Sequence, residues 1–436
     1  MLINFSFENY KSFKSAQSFT MKREDESPYD TSVWRMPGVS PIAVIYGPNA
    51  SGKSNAIEAL WYVSRLVEDS FRLGDSKSGL ERHPHLLDPE CLNAESTFLV
   101  EFIANDGYRY VYWFVVGDGR IEYERLDVYR SKQPTNLFRR THEKDGVKVV
   151  FGPSFKGPKA QMEKMTRPNA LFIAVAAACG SEAVSFAHEF LTDSLHYYDA
   201  PGYRSEVPRI VSHFEMVDER SRQLKSLVCY ADFGIEDMEK KDREVDEREQ
   251  SLIRGVARLI HDIPDEAIDE IIGSRGKELA FRHRGAKGAC WMGEEDQSDG
   301  TIAALAFFNV VLDALQTGGV ALVDEIEKSL HPTIVREIVD LFRDPATNPR
   351  QAQLIFTTHD TSLINEPGKA SKLIQRDQIW LVEKDVKGAS QLLPLTAYRV
   401  REQDNFGRNY LNGVYGAIPK PSFHAVVAGI MGASQE

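Results

Sequence analysis

The chain has 436 residues, 42% of them hydrophobic and 10% aromatic, which is enough for one large core or two smaller ones and excludes general disorder. Its formal charge of −12 argues against broad attraction to nucleic acid; a local patch such as Arg275, Lys277, Arg282, His283, Arg284 and Lys287 could still touch nucleic-acid phosphates, and an exposed polar loop beside a strand explains it as well. Cys91, Cys179, Cys229 and Cys290 form no C-x-x-C pair, so neither a zinc site nor a disulfide framework is signalled.

The opening MLINFSFENYKSF alternates apolar and polar residues where a secretory leader would need an unbroken apolar run. No stretch reaches the roughly 18 apolar residues of a spanning helix, so a cytoplasmic protein without a membrane partner is expected. Alternation predicts a strand over Leu2 to Phe7, and Ile42 to Tyr46 reads as a buried strand ending at a glycine. Asn55 to Phe71 has helical spacing. Ser96 to Ala104 and Tyr108 to Val116 read as strands joined by the turn Asn105-Asp106-Gly107, with Ile121 to Tyr129 adding another in an antiparallel layer. Phe138 to Gly157 is a polar hairpin or loop, and Ala170 to Ala178 is a buried strand or the start of a helix.

From Glu182 to Ile263 the pattern is mainly helical, and the charge-dense run 236–254 reads as a solvated helix face, a linker or an arm that senses a partner. A hairpin over Ile271 to Phe281 leads to a helix near Ser298. A strand at Val320 to Val323, a helix at Thr333 to Phe342, and strands at Leu354 to Thr357 and Gln378 to Glu383 follow. Strands alternating with helices imply a mostly parallel sheet covered on both faces. Four regions result: 1–180 and 266–390 as two halves of one head, 181–265 as a helical insertion, and 391–436 as a tail.

Gly47-Pro48-Asn49-Ala50-Ser51-Gly52-Lys53-Ser54 satisfies G-x-x-x-x-G-K-[ST] between a predicted strand and a predicted helix, with Asn55 next. Glycines let the backbone curve around phosphates, and the exposed amides and the helix N-terminus meet their charge. Lys53 can bridge the outer phosphates, Asn49 can help position the terminal one, and the Ser54 hydroxyl can sit on magnesium. After Val320–Val323 come Asp324, placed to support the magnesium shell, and Glu325, the candidate to polarise the attacking water. Two buried carboxylates repel unless a cation lies between them. Ser329 and His331 could reach a second subunit, though an intramolecular helix cap explains them almost as simply. Thr357-Thr358-His359-Asp360 arrives at the same sheet edge, where His359 could donate to the terminal phosphate or hold the water against Glu325.

Together these residues resemble the ABC-type ATPase class, in the branch similar to the heads of SMC and Rad-type DNA repair proteins. The resemblance implies an α/β P-loop NTPase with a mixed central sheet, an antiparallel side layer and a mainly helical insertion, using ATP and Mg2+ and pairing as a homodimer or higher oligomer. That class presents a Leu-Ser-Gly-Gly-Gln segment to the opposite ATP. The matching place here reads Gln297-Ser298-Asp299-Gly300-Thr301, so only Ser298 and Gly300 carry over. The class's Q-loop glutamine has no counterpart within Ala170–Ala178, and no residue is assigned. Phe5-Ser6-Phe7-Glu8-Asn9-Tyr10-Lys11-Ser12-Phe13, the phosphate loop, Ser329-Leu330-His331-Pro332, Gln378 to Asp385 and Tyr415-Gly416-Ala417-Ile418-Pro419 look like the RloA or AbiL-type ATPases of bacterial anti-phage systems. Such ATPases imply a co-encoded TOPRIM effector nuclease similar to RloB, so nucleic acid would be involved indirectly. An SMC or Rad-like ATPase acting on DNA in repair or maintenance is the alternative, although 182–265 lacks sustained heptads for a long rod. The tail, Arg401 to Pro421, either packs on its own head or docks a partner.

Overall fold

The computed structural model describes residues 1–23, 38–72, 80–199, 202–231, 234–243, 245–259, 268–269, 272–273, 276–286, 288–328, 330–365, 372–401, 404–418 and 423–433. Its strands in chain order are β1 (Leu2–Glu8), β2 (Gln17–Thr20), β3 (Ile42–Tyr46), β4 (Ser96–Ile103), β5 (Arg109–Val116), β6 (Ile121–Tyr129), β7 (Thr135–Glu143), β8 (Gly146–Phe151), β9 (Leu195–Tyr198), β10 (Ile235–Asp242), β11 (Lys277–Gly285), β12 (Gly288–Gly293), β13 (Val320–Val323), β14 (Gln353–Thr357), β15 (Ile379–Lys384) and β16 (Ser390–Pro394). They form three sheets.

The central sheet has the order β16-β15-β3-β14-β13-β9, parallel throughout except for β16. Both faces are buried, which is why its inner strands read as unbroken apolar runs. Residues alternate between two cores: Ala43, Ile45, Leu322 and Ile355 join one with helix α1 (Lys53–Arg72), while Ile42, Val44, Val323 and Phe356 join the other with the helices Asp299–Thr317 and Pro332–Arg343. The second sheet, β2-β1-β4-β5-β6-β7-β8, is antiparallel and packs over α1. Gln353 ties the two sheets: its side-chain amide donates to Leu2 O at 2.9 Å and its oxygen accepts from Leu2 N at 2.6 Å.

Ala170–Ala178, open to two readings in the sequence, resolves as a helix over Phe172–Ala178. Its first amides have an acceptor waiting. The fully buried Glu124 of β6 takes bonds from Ile173 N, Phe172 N and, at 2.9 Å, Tyr112 Oη. Burial pushes the Glu124 carboxyl up, while the charge of buried Arg140 and these donors pull it down.

The interval expected to be mainly helical departs from that reading in two places. Leu195–Tyr198 forms β9, an edge strand of the central sheet, so the head resumes inside 181–265. Ile235–Asp242, within the charged run expected to be a helix face or linker, is β10 of a three-stranded antiparallel sheet β10-β11-β12; the helix begins only at Glu247. Cross-strand pairing, with Ile235 and Met238 buried against Leu279 and Phe281, overrides the helix propensity of Glu and Lys. A correction also applies to the helix Asp299–Thr317. It is long and apolar enough by composition to cross a membrane, and 72% of that window is buried inside the protein.

The tail divides. Phe406, Tyr410, Tyr415 and Ala417 are buried on the head, whereas Phe423, Val426, Val427 and Met431 of the helix Phe423–Ala433 are exposed.

Candidate functional site

The parallel strands end along one edge, and the loops leaving β3, β13, β14 and β15 meet there. The loop from β3 into α1 is curved by Ala50 at φ 61° and Gly52 at φ +110°. A side chain at Gly52 would run 2.5 Å from Ser12 Oγ and 2.6 Å from Ser390 Oγ, and one at Gly47 would lie 2.5 Å from Val382 O. Close approach therefore requires both glycines, and at Gly52 the positive φ requires it as well. Ser390 Oγ donates to Ser51 O, and Asn55 Nδ2 donates to Ser12 Oγ at 2.8 Å. The loop is thus clamped from two sides. Lys53 Nζ folds back onto Gly47 O at 2.9 Å and Pro48 O at 3.2 Å. Burial pulls this ammonium down, against the attraction of Asp324, Glu325 and Glu327.

At the end of β13, Asp324 N donates to Tyr198 O and its carboxylate accepts from Thr357 Oγ1 at 2.6 Å. The same Thr357 oxygen accepts from Glu325 N at 2.8 Å, holding Glu325 in a left-handed conformation at φ 52°. One buried threonine thus sets both carboxylate-bearing residues. Burial pushes the Asp324 carboxyl up; hydrogen bonds from Thr357 and Ser54 oppose this, and Glu325 and Glu58 add to it. A carboxylate so placed, bonded to the Ser54 hydroxyl and facing further anions, gains from a cation. Ser54 and Asp324 could hold Mg2+, a hard ion satisfied by few protein oxygens when phosphate and water complete its shell. That fits the lack of any cluster of three or more metal-ligating His, Cys, Asp or Glu residues among the described residues.

Asn49, Ala50, Gly52, Lys53, Ser54, Asn55, Glu325, His359 and Lys384 line one cavity of about 400 Å³. Gly47, Pro48 and Ser51 stand behind it, the first two as acceptors for Lys53 and Ser51 as the acceptor for Ser390. His359 reaches the cavity, but its partner is Glu327, at 3.4 Å from Nε2; Glu327 Oε1 also accepts from His359 N at 2.8 Å. The Glu325 carboxylate instead lies 3.2 Å from Lys328 Nζ.

The family model described as "AAA domain, putative AbiEii toxin, Type IV TA system" matches residues 42–365, a span that holds the loop, both carboxylates and His359. The chain belongs to this family. It is an ATP-binding and ATP-hydrolysing enzyme of the P-loop NTPase type, built on a mixed α/β fold around a central, mostly parallel sheet. No curated protein matches it. Two solved structures of the recombination mediator protein RecF in the RecFOR pathway, with ATP and with ATPrS, are similar: 15% and 14% identical, covering 90% of this chain and 97% and 98% of theirs, with TM-scores of 0.36 and 0.30.

Other expected residues of the ATPase lie elsewhere. Ser298 caps the helix Asp299–Thr317, its Oγ accepting from Thr301 N at 3.1 Å, and neither Ser298 nor Gly300 lines the cavity of its own chain. Asp299 beside them is bonded by Tyr203 Oη at 2.6 Å and Arg204 at 2.7 Å. His331 caps the helix Pro332–Arg343, Nδ1 accepting from Thr333 N at 3.2 Å, as the intramolecular reading allowed; Ser329 lies outside the described residues, as do Arg275 and Lys287 of the basic stretch and Pro419 of the tail. Sequence reasoning missed Glu327, Thr357 as the organiser of the carboxylates, and Lys384. Only Glu327 had a local signal, two residues after Glu325.

Proposed function

We propose that this ATPase is a nucleotide-driven switch whose site is completed by a second copy, and that its state restrains or releases a partner effector. In one head the loop amides and Lys53 bind the phosphates of ATP, and Ser54 with Asp324 holds the magnesium ion that offsets their charge. Glu325 orients and polarises the attacking water, and His359, steadied by Glu327, meets the terminal phosphate. Ser298 and the amide of Gly300 close over the phosphates of the opposite head from a helix N-terminus.

The observation that carries this reading is the single cavity shared by Lys53, Ser54, Glu325 and His359, which lacks Ser298 and Gly300. A capped helix start outside its own chain's cavity can serve a nucleotide only across an interface. The inferred partner is a co-encoded effector, a TOPRIM nuclease similar to RloB in an anti-phage system of the RloA or AbiL type. Its support is the toxin–antitoxin description of the family together with the resemblance of the motifs at both ends of the chain.

Mass measurement of the Glu325→Gln form tests the proposal, with and without ATP and magnesium, alone and with the product of the neighbouring gene. ATP should convert monomers to dimers that persist because hydrolysis is blocked, and the effector should bind one nucleotide state at least about ten-fold more tightly, a difference of about 1.4 kcal/mol. A nucleotide-loaded form that stays monomeric at high concentration refutes the composite site; equal effector binding in both states refutes the switch.

A further inference from the structure

We propose that Lys384 is a second cation for the terminal phosphate of the nucleotide, opposite Lys53. The proposal deepens the ATP site described above and rests on that reading. Strand β15 runs parallel to β3, pairing Ile379 with Val44 and Leu381 with Tyr46, so its last residues continue alongside the phosphate loop. The contact is close: the carbonyl of Val382 occupies the space that a side chain at Gly47 would need. Two residues on, Lys384 closes the strand, pairs in register with Ser390, and lines the same cavity as Asn49, Lys53, Ser54, Glu325 and His359. Ser390 in turn bonds the loop through Ser51 O, which fixes the backbone carrying Lys384 relative to the loop.

The carboxylates flanking Lys384 are committed to other groups. Glu383 accepts from Ala417 N, and Asp385 accepts from Lys387 N and Ala389 N, each at 2.8 Å. No carboxylate among the described residues pairs with Lys384, whose side chain is exposed. Lys53 is different. In the same structure its ammonium is buried and bonded to two loop carbonyls. An ammonium with no carboxylate partner among the described residues, held on a strand paired on both sides beside a phosphate loop and on the cavity wall shared with Glu325 and His359, is suited to a polyphosphate, and to its outer end. Lysine serves such a ligand as a point charge at the end of a flexible stem.

The test uses the full chain in a Glu325→Gln background, so that ATP persists, with magnesium present and salt held constant. Affinities for ATP and ADP are read by competition with a fluorescent nucleotide. Lys384→Ala should weaken ATP at least about ten-fold, ADP less than about three-fold, and Lys384→Arg should keep most of the ATP affinity. Melting temperatures of the nucleotide-free variants should match the parent, since the side chain is exposed. Equal losses for ATP and ADP would overturn the assignment to the terminal phosphate, and unchanged affinity for both would overturn the contact. Lys53→Ala, run in parallel, separates this failure from a wider one: if it too left both affinities unchanged, the phosphate-loop reading itself would fall.

Discussion

Thr357 offers a test of how the strand ends are organised. Its hydroxyl, buried at the end of β14, donates to Asp324 at 2.6 Å and accepts from Glu325 N at 2.8 Å. Valine has nearly the same shape and no hydroxyl, so Thr357→Val deletes both bonds while leaving the strand in place. A hydrogen bond to a charged group contributes about 1.5–3 kcal/mol, and an amide left unpaired away from water costs about 1–3 kcal/mol. Glu325 sits at φ 52°, a conformation that persists only where its surroundings hold it. The turn therefore has little reserve, and the combined loss is about 2.5–6 kcal/mol. If half of this is felt in the transition state, turnover falls about ten- to hundred-fold. ATP affinity should change less than about three-fold, because the loop amides and Lys53 are untouched. Steady-state hydrolysis and nucleotide binding measure the two quantities, and Thr357→Ser, which keeps the hydroxyl, should retain most of the activity. Undiminished turnover in Thr357→Val would refute the claim that this hydroxyl sets the carboxylates.

Ser298→Arg removes a helix cap and should lower stability by only about 1 kcal/mol, read as a small drop in melting temperature, while abolishing the ATP-dependent mass increase. Glu124→Leu strands the Tyr112 hydroxyl and the amides of Phe172 and Ile173 in the core and leaves Arg140 without its nearby anion; a loss of about 3–5 kcal/mol is expected, measured as a markedly lower denaturation midpoint. Gly416→Ala places a methyl group 1.6 Å from Glu383 Oε1 in a residue at φ +67°, so the segment 404–418 should be cleaved faster by a protease, with ATP affinity changed less than about three-fold.

Much of the nucleotide site was legible because its parts are local. The loop, its flanking strand and its helix are contiguous; β3 and β13 have the bounds that their apolar runs predicted, and β6 the bounds expected for it. What was hidden depended on partners far along the chain. Strand β10 carries Glu, Lys and Asp, and a register shift between Ile235 and Asp237 breaks the alternation by which a strand is recognised. Strand β9 is four residues long and adjoins a helix, too short to show a period of its own. Sequence alone sends His359 to the terminal phosphate or to a water held against Glu325, and names no protein partner for it. The structure gives the histidine to Glu327, 32 residues away in the sequence, a pairing that only the parallel register of β13 and β14 creates.

The same logic explains why β15 carries information that the motifs do not. Successive residues on a strand face opposite ways, so Glu383 and Lys384 cannot attend to the same neighbour. Glu383 holds the tail through Ala417, whereas Lys384 lines the nucleotide cavity. Ladders to β3 on one side and β16 on the other fix the strand, so losing the tail contact leaves Lys384 where it is. A tail that merely packed on this strand would leave nucleotide affinity unchanged when released. A tail that served as the docking element for the effector would lose the partner at the same time, and measuring both in Gly416→Ala separates the two roles left open by the sequence.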